Sequence, residues 1–366
     1  MRVKKISLHN YRNYTALSLS FSQNLNIFIG QNAQGKTNII EAIYFAAIGH
    51  SHRSSVEHDV IRWEQNQARI GLVFDRMLIE NELVFHFYAD KNKEVLYNSH
   101  PIKQKDLIGL FNVVLFSPED LSLIKGAPAG RRRFLDLEIS QASPIYYKQL
   151  IKYNRIIAQR NMLLKKIKER KSSKDLLESW DEQFSAIAAE VVLKRINAIK
   201  KLNMLANLMH RKISKNKENL EVDYKISGLE DAIVPENLIT WYNSKLSESR
   251  ELDIIRGSTS IGPHRDDIIL KVNNINLRSF GSQGQQRTGV LALKLAELEF
   301  IKSETGEYPV LLLDDVMSEL DANRREQLLL FIRDKIQTFI TATDHTYFPK
   351  EIDGKYYRVE AGKVVE

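Results

Sequence analysis

A glycine-rich loop between an apolar run and a helical pattern places the strongest constraint on this chain. Gly30 is separated by four residues from Gly35-Lys36-Thr37, which fits the pattern G-x-x-x-x-G-K-[ST]. The apolar run 25–29 precedes the loop, and residues 38–47 follow it with apolar positions three or four apart. A strand, a glycine loop and a helix in this order bind phosphate, because backbone amides and the helix N-terminus both attract anions. The sequence therefore predicts nucleotide binding, with a chance match of the pattern as the alternative.

The loop gives a defined role to two of its side chains. Lys36 is expected to reach the β- and γ-phosphates as a catalytic residue, and the hydroxyl of Thr37 is expected to bind Mg²⁺. The residues expected to contact the nucleotide are Gly30, Gln31, Asn32, Ala33, Gln34, Gly35, Lys36, Thr37 and Asn38.

A second apolar run ends in a pair of acidic residues. Residues 310–313 are all aliphatic, and Asp314 and Asp315 follow directly. In P-loop proteins an acid at the end of such a strand holds Mg²⁺ opposite the P-loop hydroxyl, so Thr37 and Asp314 are the expected metal ligands. Asp315 is expected to orient or activate the attacking water. An ordinary strand end with two solvated acids is the alternative, and the P-loop in the same chain favours the catalytic interpretation.

The positive charge of the chain is concentrated in one segment. The net charge is +7, and residues 145–217 contain 18 Lys and Arg against 6 Asp and Glu. Two runs with helical spacing, joined by a polar break at 169–174, predict an antiparallel hairpin of long helices in this segment. A basic surface of this kind suggests a polyanionic partner, and a solvated helical face is the alternative.

The composition also excludes several classes of protein. The chain has no cysteine, which excludes disulfides and thiolate metal sites. No segment approaches the roughly 20 apolar residues of a membrane span, and residues 1–6 run into a strand pattern without the long apolar core of a signal peptide. We therefore expect a cytoplasmic protein with no membrane partner.

The remaining periodicity predicts an α/β domain interrupted by the helical hairpin. Apolar patterns predict strands at 3–8, 17–21, 25–29, 69–74, 82–88, 94–97, 112–116, 219–227, 310–313 and 338–343, and a closing pair of short strands within 356–365. Residues 268–277 predict a β-hairpin that turns at Asn273-Asn274, and residues 288–300 predict a helix. The inner face of the first hairpin helix is expected at Tyr147, Leu150, Asn154, Ile157, Leu164 and Ile167.

Two further motifs indicate a class of ATPase. Ser282, Gln283, Gly284 and Gln285 resemble the signature loop of ABC-type ATPases, and residues 318–321 resemble their D-loop. In that superfamily the signature loop of one subunit completes the ATP site of another. The resemblance implies ATP and Mg²⁺ as cofactors, nucleotide contacts from these four residues, and an ATP-dependent homodimer.

Within this superfamily the chain resembles the bacterial RecF family, whose heads are similar to those of SMC proteins. The resemblance extends over residues 8–14, 30–38, 116–121, 130–136, 160–164, 262–267, 282–287 and 312–321. It implies an α/β, ABC-type P-loop ATPase head with a mixed β-sheet. Residues 1–116 and 258–366 would form the ATPase lobe, and residues 117–257 an inserted helical lobe that carries the coiled-coil-like basic hairpin 145–217.

The resemblance also implies a function in recombinational repair and replication. It implies binding to duplex DNA near single-strand gaps, slow ATP hydrolysis that releases the DNA, and cooperation with RecR and RecO in loading RecA. It suggests that Arg12 contacts the nucleotide, with surface strand polarity as the alternative. Arginines 131–133 would contact DNA or phosphate, or be solvated. His264 lacks a second histidine at ligand spacing, so a structural hydrogen-bonding role is expected.

The chain departs from the wider ABC pattern at three positions. The usual Q-loop glutamine is absent around residues 116–119, and Thr343 stands where many relatives have a switch histidine, with His345 two residues later. The expected catalytic acid is Asp315 and not the commoner glutamate. These departures favour slow hydrolysis that acts as a timer on a dimer.

Two other functions remain open from the sequence. The signature loop also fits the ATPase subunit of a membrane transporter, although the basic hairpin and the roughly 270 residues between the P-loop and the paired acids do not. A small-molecule kinase would require both the signature loop and the D-loop to be coincidences.

Overall fold

The computed structural model describes residues 1–54, 56–229, 237–349 and 353–365. The chain forms two compact units, the first from Met1–Asp120 with Lys294–Glu366 and the second from Leu121–Leu293. The second unit includes residues 258–293, which the sequence analysis assigned to the ATPase lobe. These residues belong to the second unit because their main strand pairs with a strand that follows the helical hairpin.

The strands in chain order are β1 (Arg2–Tyr11), β2 (Tyr14–Ser20), β3 (Leu25–Ile29), β4 (Gln67–Arg76), β5 (Ile79–Tyr88), β6 (Glu94–Tyr97), β7 (His100–Pro101), β8 (Val113–Phe116), β9 (Leu220–Lys225), β10 (Asp267–Val272), β11 (Ile275–Asn276), β12 (Val310–Asp314), β13 (Thr338–Ala342), β14 (Gly354–Glu360) and β15 (Lys363–Val365).

The α-helices are α1 (Lys36–Ile48), α2 (Ser122–Lys125), α3 (Pro128–Ala142), α4 (Pro144–Lys168), α5 (Leu177–Ile213), α6 (Leu238–Arg256), α7 (Leu277–Phe280), α8 (Gln283–Thr305) and α9 (Ala322–Ile332). Among the described residues, no helix is long and apolar enough to span a membrane.

The first unit contains two six-stranded sheets. One is antiparallel, with the order β2-β1-β4-β5-β6-β7, and the other has the order β15-β14-β3-β13-β12-β8. In the second sheet β14, β3, β13, β12 and β8 are parallel, and only β15 runs against its neighbour. The strands β3, β12 and β13 are buried at every position, which explains their continuous apolar runs.

The helix α1 contacts strands of both sheets and forms the core between them. Eleven of its 13 residues are buried, so it lacks the polar face of a surface helix. Phe45 packs edge-to-face on Phe85 and Phe87, with ring centroids 5.5 and 5.0 Å apart. This burial fixes the N-terminal end of α1, which is the end that follows the glycine loop.

The second unit is built on the predicted helical hairpin. Helices α4 and α5 pack on each other, α6 packs on both, and α5 also packs on β9 of the sheet β11-β10-β9. The predicted β-hairpin is confirmed: β10 and β11 are joined at Asn273 and Asn274, whose φ angles of 48° and 65° suit a two-residue turn of type I′.

The predicted inner face of α4 was wrong by one position over its first half. The buried residues there are Tyr146, Tyr153 and Ile156, followed by Arg160, which is completely buried. Arg160 donates hydrogen bonds to Asp181 at 2.8 Å, to Asp253 at 3.0 Å and to the Thr259 hydroxyl at 2.8 Å. Because a charged residue occupies the inner face, apolar periodicity alone identified the wrong stripe.

His264 forms the structural hydrogen bonds expected of it. Its Nε2 lies 3.0 Å from the carbonyl oxygen of Thr259, to which it donates, so its Nδ1 accepts from the Tyr153 hydroxyl at 2.6 Å. Burial lowers the pKa of His264 to about 4. Because the unfolded chain binds a proton near pH 6.5 and the folded chain does not, stability is lost as the pH falls below that value.

Between about pH 7.5 and about pH 5, we expect the free energy of unfolding of His264→Asn to fall by about 2 kcal/mol less than that of its parent. The measurement is urea unfolding in a Trp63→Phe background, where the remaining tryptophans, Trp180 and Trp241, both report on the second unit. Equal losses of stability in the variant and its parent over this pH range would contradict the prediction.

Candidate nucleotide-binding site

The glycine loop lies at the carboxyl end of β3 and is held in place by the β1–β2 turn. The Asn13 amide donates to the Gln34 carbonyl at 3.0 Å, and the Tyr14 hydroxyl donates to the Gly35 carbonyl at 3.1 Å. Gly35 has a φ of 114°, and a Cβ there would lie 2.5 Å from Asn13 Nδ2. The positive φ and the close approach of Asn13 both require glycine here, so the β1–β2 turn packs directly on the loop.

Lys36 is folded back over the loop. Its Nζ donates to the carbonyl oxygens of Gly30 and Gln31, both at 2.7 Å. Burial lowers the pKa of Lys36, and the nearby carboxylates of Asp315 and Asp314 act in the opposite direction. The ammonium group therefore lies within the loop and close to both acids, where it can neutralise phosphate charge.

Thr37 and Asp314 are in direct contact although 277 residues separate them. The Thr37 hydroxyl donates to Asp314 Oδ1 at 2.9 Å, and the Thr341 hydroxyl donates to the same oxygen at 2.7 Å. The register of the parallel strands produces this contact, because Asp314 pairs with Thr341 and Ala342 pairs with Ile29. The carboxyl ends of β12, β13 and β3 thus lie side by side, which is where α/β sheets bind ligands.

The paired oxygens of Thr37 and Asp314 fit a magnesium site. Mg²⁺ prefers oxygen ligands and is usually held by one or two carboxylates together with substrate phosphates. The described part of the chain contains no cluster of three or more His, Cys, Asp or Glu side chains that could hold a metal unaided. When bound, Mg²⁺ would neutralise charge on the phosphates, and Thr37 and Asp314 are the residues that would hold it.

Asp315 lies directly after the buried strand β12 in a left-handed conformation, with a φ of 55°. Its backbone N–H donates to the Thr341 hydroxyl at 2.9 Å, so Thr341 orients both acids. Burial raises the pKa of Asp315, an effect that nearby Lys36 opposes. The Asp315 side chain is only partly buried, so one side of its carboxylate is open to solvent.

Arg12 lies beside the glycine loop, but its guanidinium is held by protein groups. It forms two hydrogen bonds to the buried carboxylate of Glu41, at 2.9 and 2.6 Å, and a third to the Asp59 carbonyl at 2.6 Å. Burial alone would raise the pKa of Glu41, but hydrogen bonds from Arg12 and Ser51 outweigh it and lower the pKa. Sequence reasoning missed Glu41, because nothing in the motif indicates that it pairs with Arg12.

A cleft of about 540 Å³ adjoins the loop on the side of Arg12. Its lining includes Asn13, Asn38 and Trp63, and Trp63 is 92% exposed. Arg53 donates to Asn38 at 3.0 Å and so brings a further exposed cation to the helix end of the loop. The sequence pattern gave no signal for Arg53 or Trp63, since neither belongs to the motif.

A second cleft, of about 670 Å³, lies beside Gly30 and Gln31 on the other side of the loop. Thr343, His345 and Tyr356 contribute to its wall, and the rings of His345 and Tyr356 are 5.6 Å apart. His345, and not only Thr343, therefore lines the space next to the start of the loop.

The four signature residues lie in the second unit, at the start of α8. The predicted start of this helix at residue 288 was wrong, because the helix begins at Gln283. Ser282 and Gln285 form a reciprocal cap: the Ser282 N–H donates to Gln285 Oε1 at 3.0 Å, and the Gln285 N–H donates to Ser282 Oγ at 3.2 Å. Gly284 disfavours a helix, which is why the sequence predicted a later start. The reciprocal cap stabilises the additional first turn of α8.

The arginine cluster 131–133 is divided between interior and surface. Arg131 is buried and forms a two-fold ion pair with Asp267, at 2.7 and 3.0 Å. Arg132 donates to the Asp266 carbonyl at 2.7 Å, and Arg133 is exposed. Both alternatives, a contact with DNA or phosphate and a solvated side chain, are therefore wrong for Arg131, which is buried and has its charge neutralised by Asp267.

The parallel strands, the glycine loop and the contact between Thr37 and Asp314 define a P-loop ATPase head of the ABC type. Comparison with known proteins agrees with this class. Residues 2–363 match the family described as the RecF/RecN/SMC N terminal domain. An SMC head domain from Pyrococcus furiosus has the same fold, with a TM-score of 0.58 at 17% identity and 100% of this chain and 96% of that chain covered.

More similar proteins specify the family. The DNA replication and repair protein RecF of Clostridium beijerinckii is 43% identical over 369 residues, covering 100% of this chain and 98% of the relative. That of Enterococcus faecalis is 43% identical over 374 residues, with 100% and 98% covered. A solved structure of the recombination mediator protein RecF with ATP, in the RecFOR pathway, has a TM-score of 0.92 at 35% identity, with 100% and 97% covered. The chain belongs to the RecF family.

We expect Arg12→Met to destabilise the protein in the absence of nucleotide by about 3 kcal/mol, because it leaves Glu41 buried without its cation. The matched double variant, Arg12→Met with Glu41→Met, should recover most of this loss, since it removes both charges. Urea unfolding of the nucleotide-free protein measures both effects. If the single variant were as stable as the wild type, the pair would have no structural role.

Proposed function

We propose that this protein is an ATP-dependent DNA-binding ATPase of DNA replication and recombinational repair. The observation that carries the proposal is the contact between Thr37 and Asp314, which joins the P-loop to the acidic strand in one site. Membership of the RecF family supports ATP as the nucleotide, since a relative covering the whole chain has been solved with ATP. We place its action in the cytoplasm.

ATP would occupy the glycine loop with its phosphates on Lys36 and on the backbone amides of residues 30–38. In this mechanism Lys36 leaves the carbonyls of Gly30 and Gln31 and binds the β- and γ-phosphates. The cleft beside Arg12 and Asn38 has the volume to take the nucleoside. Asp315 orients the attacking water, and its raised pKa brings the carboxylate closer to the basicity a proton acceptor needs.

Two copies would enclose the nucleotides between them. The Ser282 side chain is exposed in the single chain, and its oxygen already accepts a hydrogen bond from the Gln285 N–H. Its hydroxyl proton is therefore free to be donated to a γ-phosphate held by the other copy. Gln283, Gly284 and Gln285 lie next to Ser282 at the start of α8 and would contact the same nucleotide. Because each ATP would then be bound by residues of both copies, ATP binding and dimerisation would be coupled.

Hydrolysis would be slow and would reopen the dimer. The acid at the strand end is Asp315, whose side chain is shorter than the commoner glutamate by one methylene. Thr343 supplies no imidazole to the γ-phosphate, and His345 lies two residues farther along the chain. We therefore assign hydrolysis to the release of DNA and expect DNA to influence its rate.

The basic hairpin is the proposed DNA surface. Of the 18 Lys and Arg in residues 145–217, only Arg160 and Arg195 are buried, and the other 16 are exposed. Only five acidic residues of the segment are exposed with them, so the surface is strongly positive. Its target would be duplex DNA near single-strand gaps. The name of the RecFOR pathway supports RecR and RecO as partners, in loading RecA.

Lys36→Arg and Asp315→Asn separate the two halves of the proposed cycle. Lys36→Arg should abolish ATP-dependent dimerisation, because the planar guanidinium cannot replace the compact ammonium inside the loop. Asp315→Asn should still bind ATP but hydrolyse it more slowly than the wild type. It should therefore remain as an ATP-bound dimer on DNA. Analytical ultracentrifugation with ATP, ADP or no nucleotide, with and without gapped duplex, measures both outcomes. If the mass of the wild-type protein were the same with ATP, with ADP and without nucleotide, an ATP-dependent dimer would be excluded.

DNA binding should depend steeply on salt, because it would be made mainly to phosphates. The double variant Lys152→Gln/Arg155→Gln removes two exposed charges on one face of α4 and should lower the slope of log K against log salt by about 2. The control Lys103→Gln/Lys105→Gln removes two exposed charges outside the hairpin and should leave the slope unchanged. Fluorescence anisotropy with a labelled gapped duplex measures the slope. Equal slopes for the wild type, the α4 variant and the control would mean that the DNA does not bind at Lys152 and Arg155.

A further inference from the structure

The signature residue Gln285 is held by an acidic residue that lies outside every motif. Gln285 Nε2 donates to Glu218 Oε1 at 2.9 Å, and the other carboxylate oxygen lies 3.2 Å from His210 Nε2. A carboxylate only accepts hydrogen bonds, so His210 Nε2 is the donor of this contact. His210 is completely buried in the last turn of α5. Glu218 therefore connects the end of the basic hairpin to the signature loop.

The charge of Glu218 fixes the orientation of the Gln285 amide. The amide oxygen accepts from the Ser282 N–H at 3.0 Å, and the amide nitrogen faces the Glu218 carboxylate. If the amide were reversed, its NH₂ group would face the Ser282 N–H and its oxygen would face the carboxylate, and both contacts would be repulsive. With the amide in its observed orientation the cap on Ser282 is complete, and because Ser282 Oγ is the acceptor in this cap, the cap does not use the hydroxyl proton.

Glu218 ends a short turn with an unusual backbone, residues 214–218. Lys215 and Asn216 both have left-handed φ angles, 54° and 61°. The turn is closed by a hydrogen bond from the Asn216 N–H to the Arg211 carbonyl at 2.7 Å, and the Glu218 N–H lies 3.4 Å from the Ser214 hydroxyl oxygen. Two adjacent non-glycine residues keep this conformation because surrounding contacts hold it, so a ligand that adds contacts to the turn would hold its geometry more firmly.

The same turn and the last turn of α5 before it carry positive charge without a counter-charge. Lys212, Lys215 and Lys217 are exposed, and no carboxylate in the described part of the chain pairs with any of them. Three unpaired lysines within six residues can bind successive backbone phosphates of a nucleic acid. Such a contact would bear directly on Glu218, which follows Lys217 in the chain.

We propose that residues 214–218 form a coupling turn, in which DNA phosphates on Lys212, Lys215 and Lys217 fix Glu218, and Glu218 fixes the signature serine through Gln285. Glu218 is thus a positioning residue for the nucleotide site of the other copy. This inference rests on the proposed function, because it requires both the DNA surface and the shared ATP site. It identifies the route by which DNA binding would change the rate of ATP hydrolysis.

The direct test is Glu218→Gln in the full chain, with ATP turnover measured with and without saturating short duplex DNA. The variant keeps the size of the side chain but loses the charge that orients Gln285. We expect turnover in the DNA-bound state to fall about tenfold, with little change in the KM for ATP or in DNA affinity. The matched control is Glu221→Gln, which removes the same charge three residues away and should retain the full response to DNA.

Two further measurements separate positioning from general damage to the fold. Lys215→Gln/Lys217→Gln changes only exposed residues, and its turnover should no longer respond to saturating DNA. In a Gln285→Ala background, Glu218→Gln should have no additional effect, because the proposed route passes through the Gln285 amide. Additive effects of the two substitutions would overturn the coupling turn.

The failures of the two proposals are distinguishable. A wild-type protein that neither dimerises with ATP nor responds to DNA overturns the proposed function and the coupling turn together. A wild-type protein that responds to DNA, with a Glu218→Gln variant that responds equally, overturns the coupling turn alone.

Discussion

The parallel register of β3, β13 and β12 is the constraint on which the nucleotide site depends. It brings the carboxyl ends of strands from opposite ends of the chain to one edge, where Thr341 donates to Asp314 at 2.7 Å and Thr37 donates at 2.9 Å. A slip of one residue would turn Asp314 to the other face of the sheet and break both contacts. Complete burial of the three strands prevents such a slip, since each alternative register would bury polar groups without partners.

In the second unit the equivalent constraint is a set of buried arginines. Arg160 pairs with Asp181 and Asp253, and Arg195 donates to both carboxylate oxygens of Asp136 at 2.8 Å. Buried ion pairs contribute little net stability, but each partner strongly disfavours arrangements that leave the other charge unpaired. The basic hairpin therefore uses buried arginines to fix its helices, whereas all of its lysines are exposed. This division lets one segment be both rigid and strongly charged at its surface.

Continuous apolar runs and close-range turn chemistry made much of the fold predictable. The buried strands, the P-loop and the Asn273-Asn274 turn each follow from residues adjacent in sequence. The helix α3 (Pro128–Ala142) was not predicted, because its buried residues include Arg131, Glu138 and Gln141, and polar residues on an inner face produce no apolar period. The helix α6 (Leu238–Arg256) was missed for a related reason, since few of its residues are buried. Where buried polar pairs replace apolar packing, the spacing of apolar residues no longer predicts the helix.

The same distinction applies to the site. Motif residues could be named from the sequence because their roles follow from local backbone geometry, which a short pattern specifies. Glu41 and Glu218 could not, because each acts through a partner, Arg12 or Gln285, that lies 29 or 67 residues away. In both places an acid outside the motif holds a motif side chain in one orientation before any nucleotide arrives. Because such an acid fixes the donor geometry in advance, less of the nucleotide's binding free energy is needed to order the site, and in the proposed dimer more of it would remain for joining the two copies.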